Sequence, residues 1–507
     1  MCFSYWARAA SLRTLAVPLL GATLCACALG PDYHLPEAPF SASYKELKGW
    51  KIATPRDHVN RGEWWSVYHD PTLDSLERQI DVSNQTIAAA EAAFRQAAAL
   101  VQQARAALFP TGGLVYDPTR LYQGPGATGA GVRSSLTRVT FETTATWNLV
   151  VWGKVRRMVE SNIDLAQASA ADLANARLLA QAQLAVAYFN LRAADSLRVL
   201  LDRTIADYKR TETITENQYQ QGTVARSHVI TAQTQVKTVE AQAINIDVQR
   251  AQFEHAIAVL IGRPPAELKL KKSELGTKVP VVPPGIPSML LERRPDIAGA
   301  ERTMAAQNAL IGAAVTAYFP DISLSGQYGW LGPQLFPVTV ANEMWQIAGT
   351  ATETVIDGGL RRAQIAGAEA AFYQQVATYR QTVLAAMRQV EDELSNLRIL
   401  AQQQRVQDEA VALSRRAVEI TLNEYRAGTV SFTTVVTAQA TLLTNEQAAL
   451  TVRQNRYLAS VNLIQALGGG WDISKLPSYE ALRHRRSCVD VSAAIRGPIS
   501  PEMPSCL

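Results

Sequence analysis

The chain has 507 residues, with 49 Lys and Arg against 45 Asp and Glu for a net charge of +4, and only 19% of its residues are charged. A balance this close to neutral gives no electrostatic reason to expect a nucleic-acid partner. Aromatic residues make up 7% while Ala, Gln, Leu and Val crowd the middle, a bias that suits long helices meeting through small side chains better than a compact catalytic core.

Arg8 and Arg13 precede an apolar run from Leu15 to Leu24 that is too short to span a bilayer permanently and ends in small residues, the pattern of an export signal. Leu24-Cys25-Ala26-Cys27 is similar to a bacterial lipobox, whose cysteine is acylated and becomes the first residue of the mature chain. Cys27 is the better acceptor than Cys25, because a cut before Cys25 would follow bulky Leu24; ordinary cleavage near Ala26 is the alternative. Residues 1–26 are then the signal peptide and Cys27 the lipidation site. Residue 28 is Ala, not the Asp that retains such lipoproteins at the inner membrane, which points to the outer membrane. Lipid chains attach a protein but span nothing.

The remainder is written twice. Tyr219-Gln-Gln-Gly222-Thr223-Val224, followed by Ala232-Gln233, returns 206 residues later as Tyr425-Arg-Ala-Gly428-Thr429-Val430, followed by Ala438-Gln439. Ala107-Leu108-Phe109-Pro110 answers Ala317-Tyr318-Phe319-Pro320, Gly153-Lys-Val-Arg156-Arg157 answers Gly358-Gly-Leu-Arg361-Arg362, and Leu260-Ile-Gly262 answers Ala466-Leu467-Gly468. A unit of about 200 residues exceeds the roughly 20–50 of stacked repeats. The chain therefore reads as one architecture of two related halves, 27–262 and 295–471, joined by a linker, 263–294, rich in Pro and Lys.

After each Phe-Pro stop come short alternating segments. Arg138 to Leu149 puts Val139, Phe141, Ala145, Trp147 and Leu149 on one face and Arg138, Thr140, Glu142, Thr144, Thr146 and Asn148 on the other, the period of a strand with one lipid face and one wet face. Its length of about 40 Å crosses an outer membrane at a steep tilt. Ile322 to Tyr328 repeats the alternation more briefly, and Leu114 to Tyr122 and Glu343 to Val355 are the expected partners, with Pro118 an awkward residue for a strand. Trp147, Trp152, Tyr328, Trp330 and Trp345 are either interfacial girdles or packing residues. Four strands cannot close a barrel, and an open sheet in lipid leaves two edges of unpaired backbone groups. Closure needs several chains; three would supply twelve strands, although these residues alone do not fix that number.

The helical stretches come next. From Val155 to Gln221 there is no Pro or Gly, and apolar residues recur at three and four; one helix of that length reaches about 100 Å. Gly222 turns the chain and Val229 to Leu260 returns antiparallel. Leu360 to Ala427 repeats this, turning at Gly428 and running back to Leu467. Such hairpins expose apolar stripes that must pack laterally, on each other and on further copies. Beyond Trp471 the Pro- and Arg-rich tail, 472–507, reads as disordered; Cys488 and Cys506 there could pair in an oxidising compartment, a point that spacing leaves open.

Other patterns carry no chemistry. Gly124-Pro-Gly126-Ala-Thr-Gly129 matches a dinucleotide-binding string, but no helix follows and it reads as the extracellular turn between the first two strands. Gly153-Lys154 lacks the upstream glycine of a phosphate loop, and the six His show no metal spacing. Glu391-Asp392-Glu393 reads as a charged helix face. No enzyme, metal or cofactor is expected.

The residues resemble the TolC family of outer-membrane efflux channels, in its lipoprotein (NodT-type) branch. The resemblance rests on Cys27 to Pro36, on Trp64-Trp65 with Asp70-Pro71 and Leu73, on Leu290-Leu-Glu-Arg-Arg294-Pro295-Asp296-Ile297 leading to Ile311-Gly312, and on the two Gly-Thr-Val tips, and it spans Cys27 to about Trp471. It implies an α+β membrane protein: long antiparallel helical hairpins forming a periplasmic tunnel, four strands per chain given to a trimeric transmembrane β-barrel, and a mixed belt that includes residues 37–60 and 263–290. The implied function is a passive exit duct for small toxic compounds, driven through a periplasmic adaptor by an inner-membrane pump of the resistance-nodulation-division (RND) type. Residues Gly222, Thr223, Val224, Gly428, Thr429 and Val430 would dock the adaptor. Acidic residues often ring the periplasmic gate in this family, whereas His228, Thr434 and Thr437 stand at the matching positions here. A gate held by packing and neutral hydrogen bonds is therefore expected, with His228 either a pH-responsive group or an ordinary surface histidine. Export of a polypeptide or an oligosaccharide is the alternative within the fold. Outside it, a surface-anchored trimeric coiled coil acting as adhesin or spacer would require an uninterrupted heptad stalk.

Overall fold

The computed structural model describes residues 29–38, 41, 43–47, 63–124, 133–280, 290–334 and 342–484. Cys27, Cys488, Cys506 and the turn at 125–132 lie outside them. In chain order the main elements are α1 (Pro71–Ser83), α2 (Gln85–Ala106), β1 (Thr111–Gln123), β2 (Ser134–Asn148), α3 (Lys154–Gln220), α4 (Arg226–Leu260), α5 (Pro295–Val315), β3 (Asp321–Gly332), β4 (Glu343–Thr352), α6 (Leu360–Arg426), α7 (Phe432–Ala466) and α8 (Tyr479–His484).

The strands form one antiparallel meander in the order β1-β2-β3-β4. Directly paired residues share a face, so the register assigns each side chain. Tyr116, Phe141 and Trp330 align, as do Thr143 with Tyr328 and Trp345, and Trp147 with Leu324. Phe141 stacks on Trp330 at 6.4 Å, and Tyr328 meets Trp330 edge-on at 5.4 Å. The opposite face carries Asp117 with Thr140, Glu142 with Gly329, Thr144 with Gln327, and Thr146 with Ser325. One apolar and one polar face run along β2 and β3, as the alternation from Arg138 predicts; the outer strands are less clean, with Val115 on the polar side opposite Glu142 and Glu343 on the apolar side opposite Trp330. Pro118 lies within β1 opposite Val139, so β1 forms as a strand although this residue gives no amide to the ladder.

Helices α3 and α6 have 67 residues each, and α4 and α7 have 35 each. A 35-residue helix covers about half of a 67-residue partner, and the rest is covered by α2 beside α3 and by α5 between α3 and α6. These upper helices, which precede the Phe-Pro stops, were not anticipated from the sequence. Both are rich in Ala, α2 in Gln as well, and small side chains give them little amphipathic contrast. The turns at Gly222 and Gly428 reverse both long helices, which excludes the uninterrupted stalk of an adhesin.

The C-terminal ends of α3, α4, α6 and α7 share one local chemistry. At Gly222 the amide donates to Tyr219 O and that of Thr223 to Gln218 O; at Gly428 the pairs are Tyr425 O and, from Thr429, Glu424 O. Gly262 and Gly468 end α4 and α7 in the same way. This is the Schellman pattern, in which a left-handed residue after the helix satisfies the last carbonyls. At Gly222 and Gly428 only the positive φ, 75° and 77°, calls for glycine. At Gly262 and Gly468 a Cβ would also lie 2.0 Å from Ser83 O and 1.9 Å from Arg293 O, because the next helix is seated directly against the turn.

The main core lies at mid-height. Trp65, Leu73 and Ile80 from the N-terminal segment pack with Tyr188 and Leu191 of α3, Val390 and Leu394 of α6 and Val461 of α7. Asp70 accepts from the amides of Thr72 and Leu73 to cap α1 and is also hydrogen-bonded by the Tyr188 hydroxyl. Trp64 Nε1 donates to Gln181 Oε1 at 3.3 Å. Residues 268–280 of the linker run beside this belt, their backbone clamped at Leu270 by Glu254 and Arg250, and at Ser273 by Asp195.

Two expectations are corrected. The part of the tail from Asp472 to His484 is folded: Asp472 caps a short 3-10 turn, and Leu482 of α8 is 1% exposed among Ala98, Val101, Val159 and Ile163. The apolar side of this short helix fills the α2–α3 groove, which outweighs its polar composition. Glu391 is more than a surface charge, since its two oxygens accept the amides of Lys45 and Glu46 and so cap the short 3-10 turn Lys45–Leu47.

Candidate functional site: hairpin tips and anchor strap

The first described residues lie where sheet meets helix. Arg157, 5% exposed at its side chain, donates to Leu29 O, Gly30 O, Asp32 and Glu160. Asn308 holds Pro31 O, and Tyr33 Oη donates to Glu301 at 2.7 Å. The two sequence blocks around Gly30 and Gly312 thus meet, backbone against backbone. From there the segment descends to α6, where Arg380 donates to Glu37 O and Arg398 pairs with Glu46.

Beneath this strap Asp164 is largely buried, 3.9 Å from Arg302. Burial pushes its carboxyl up to about 7; Arg302 opposes the shift, and Glu160 and Glu301 add to it. A folded-state pKa above the unfolded one means that the folded chain keeps the proton longer. The ionisation penalty is absent below about pH 4, grows as pH rises to about 7, and is complete above that. Asp164→Asn should therefore raise the thermal midpoint relative to wild type at pH 8 and leave it nearly unchanged at pH 4. An equal shift at both values would show that Asp164 is not the titrating group.

At the far end of the helices the two tips lie together. Thr223 Oγ1 donates to Gln218 O at 2.8 Å and Thr429 Oγ1 to Glu424 O at 2.9 Å, so each threonine closes its own turn. Gly222, Thr223, Gly428 and Thr429 are exposed, while Val224 and Val430 are half-buried. Between the tips sits a small apolar cluster of Ala232, Tyr425, Phe432 and Val435, with Ile214, Leu422 and Val430 at its edge.

The three positions expected at the gate each have a different partner. His228 is half-buried and stacks on Phe432 at 5.6 Å. Thr434 and Thr437 are exposed; Thr434 Oγ1 lies 3.1 Å from Ser431 Oγ, and Thr437 Oγ1 donates to Thr433 O. The contact between hairpins is instead made by Phe432 on His228 and by Gln439 Nε2, which donates to Thr211 Oγ1 at 2.9 Å. Neither Phe432 nor Gln439 was singled out as a site residue. The available signal was a break in the duplication, because position 432 answers Arg226.

A profile of the outer membrane efflux protein family matches residues 76–263 and 286–469. The chain belongs to this family. It is 28% identical over 470 residues to the toluene efflux pump outer membrane protein TtgC of Pseudomonas putida, covering 91% of this chain and 96% of that one. It is 27% identical to the outer membrane protein OprJ of Pseudomonas aeruginosa, over 90% and 95% of the two chains. Among solved structures, the outer-membrane channel OprN superposes with a TM-score of 0.81 at 28% identity, over 88% of this chain and all of that one. The Campylobacter jejuni outer-membrane channel CmeC shares the fold, with a TM-score of 0.82 at 22% identity over 89% and 96%. The protein is an outer-membrane efflux channel of TolC-like architecture. Its two family segments are the two halves that the sequence repeats.

Proposed function

We propose that three copies of this chain close a twelve-stranded barrel and form a passive exit duct for small toxic compounds, anchored by lipid on Cys27. An inner-membrane pump of the RND type would drive it through a periplasmic adaptor docked at the tips. The observation that carries the reading is the sheet, apolar on one face and polar on the other along β2 and β3, with β1 and β4 open at its edges and each hairpin of strands leading into a 67-residue helix. Unpaired edges are untenable in lipid, and pairing β1 with β4 of the next copy removes them. Cys27 is two residues before Leu29, whose amide approaches Trp152 O beside the barrel base, so an acyl chain there is within reach of the membrane. The duct needs no chemistry of its own; it supplies a path.

The exposed Thr429, with the open groove above it lined by Ile214, Val418 and Leu422 and by charges of both signs, Arg210 beside Asp207 and Arg415 beside Glu446, suits a helical hairpin partner with an apolar ridge. Photo-crosslinking from Thr429 in living cells should trap a periplasmic adaptor. Repeated failure in a strain with working efflux would remove the docking assignment, and an adaptor of a protein-secretion system would favour polypeptide export. Relatives named for toluene efflux and for pyoverdine export fit a duct whose cargo is selected upstream. With His228, Thr434 and Thr437 in place of carboxylates, millimolar divalent cations on the periplasmic side should leave single-channel conductance unchanged; strong block would contradict a neutral gate.

A further inference from the structure

We infer that Phe432 is the latch that ties the two hairpin tips of each protomer together and so sets the resting aperture of the tunnel. The inference rests on the duct reading and names the residue that positions its gate. Position 432 is where the internal duplication fails: Arg226, its counterpart 206 residues earlier, is exposed, whereas Phe432 is 2% exposed. Tyr425 is buried at 4% while its counterpart Tyr219 is 39% exposed, and Gln439 is buried at 4% while Gln233 is exposed. The second hairpin thus carries, on both sides of its turn, side chains that seat it against the first.

The seat is small and separate from the rest of the core. The Phe432 ring lies nearly parallel to His228 of the first hairpin, 5.6 Å away at 21°, and 5.4 Å from Tyr425 of its own hairpin. Ala232 and Val435 complete it. The next apolar cluster begins farther up, around Tyr208, Val236 and Leu443. The closed arrangement also strands polar atoms. His228 Nδ1, Tyr425 Oη and Gln439 Oε1 are buried with no hydrogen-bond partner. Buried groups of this kind oppose the state that buries them and regain water when it opens. Apolar contact closes the clasp while unsatisfied polar atoms load it toward opening, the balance expected of a latch that a docking partner can release.

The test is single-channel conductance of purified protein in planar bilayers, with the assembled oligomer verified on an unheated gel. Phe432→Ala should raise conductance severalfold, Phe432→Leu should fall between, and Arg226→Ala should match wild type. His228→Ala should also open the channel, and the double variant Phe432→Ala/His228→Ala should conduct no more than Phe432→Ala alone, because both remove one contact. Wild-type conductance in assembled Phe432→Ala, or independent multiplication of the two effects, overturns the latch. Should Phe432→Ala fail to assemble, Phe432→Leu and His228→Ala decide by the same comparison. A wild-type protein that forms no conducting oligomer defeats the duct reading itself, and the latch with it.

Discussion

Gly468→Ala is expected to abolish recovery of assembled protein, whereas Gly428→Ala, at an equally left-handed turn, should cost only about 1–2 kcal/mol. Both residues end helices of the second half with nearly the same hydrogen bonds, and φ is 90° at one and 77° at the other. They differ in what stands opposite. The tip turn faces open space, while a Cβ on residue 468 would occupy a point 1.9 Å from Arg293 O and 2.7 Å from Arg293 C. No rotamer relieves a clash between backbone atoms, so the 290–293 turn must move, and with it the start of α5 and the Arg294 contacts. Gly262→Ala should behave like Gly468→Ala, since its Cβ would meet Ser83 O at 2.0 Å. The measurement is the yield of heat-modifiable oligomer in outer-membrane fractions. Normal yield from Gly468→Ala would mean that the stacked corner is soft and that the helix pairs are not held end to end.

That corner also marks what the sequence could and could not disclose. The long hairpins were legible because no Pro or Gly falls between Lys154 and Gln220 and only Gly367 falls within Leu360 to Arg426 before the glycines that turn them, and the strands because Val139, Phe141 and Trp147 alternate with Thr140, Glu142 and Thr146. Both patterns are local. The shorter helices α2 and α5 were not legible, because their role is to complete a partner far away in the chain: Asn84 Nδ2 reaches Leu260 O, and Arg294 reaches Ala466 O. The terminal glycines at 262 and 468 were visible as a repeat, but their purpose, admitting a second helix end, depends on residues about 180 positions distant. At the tips the limit was different. Family resemblance directed attention to positions 228, 434 and 437, yet the side chain that joins the hairpins is Phe432, which shows itself only where two halves of one sequence cease to agree.

The stacking explains how a chain of modest core gains its reach. Each half sets one helix of about 100 Å against two shorter ones placed end to end, so no returning helix need be longer than 35 residues. The cost is two junctions per chain at which a C-terminal turn abuts another helix. The lower segments, α4 and α7, end at these junctions and carry the tips, so a displacement of one hairpin relative to the other would have its fixed point there and its free end at the tips.

Arg294→Ala should accordingly be the more damaging of the two junction substitutions, by about 3 kcal/mol against about 1 for Asn84→Ala. Arg294 is 7% exposed and engages three elements: both oxygens of Asp296 at the start of α5 (3.0 and 2.6 Å), Gln389 of α6 at 2.9 Å, and the last carbonyl of α7 at Ala466, 3.0 Å. Truncation leaves Asp296 without its cation and the Ala466 carbonyl without a donor in a site that water enters poorly. Arg294→Lys would recover only part of the loss, because one ammonium cannot span a bidentate carboxylate and two further acceptors. Asn84, by contrast, makes one bond to Leu260 O at 2.7 Å and one cap to Ile87 N at 3.0 Å, both between neutral groups. The ranking should appear in the rate of thermal dissociation of the oligomer, and amide hydrogen exchange in Arg294→Ala should quicken first around 290–300 and 460–468. Faster dissociation of Asn84→Ala than of Arg294→Ala would show that the first-half junction, not the second, limits stability. The fixed point of hairpin motion would then lie between α4 and α2.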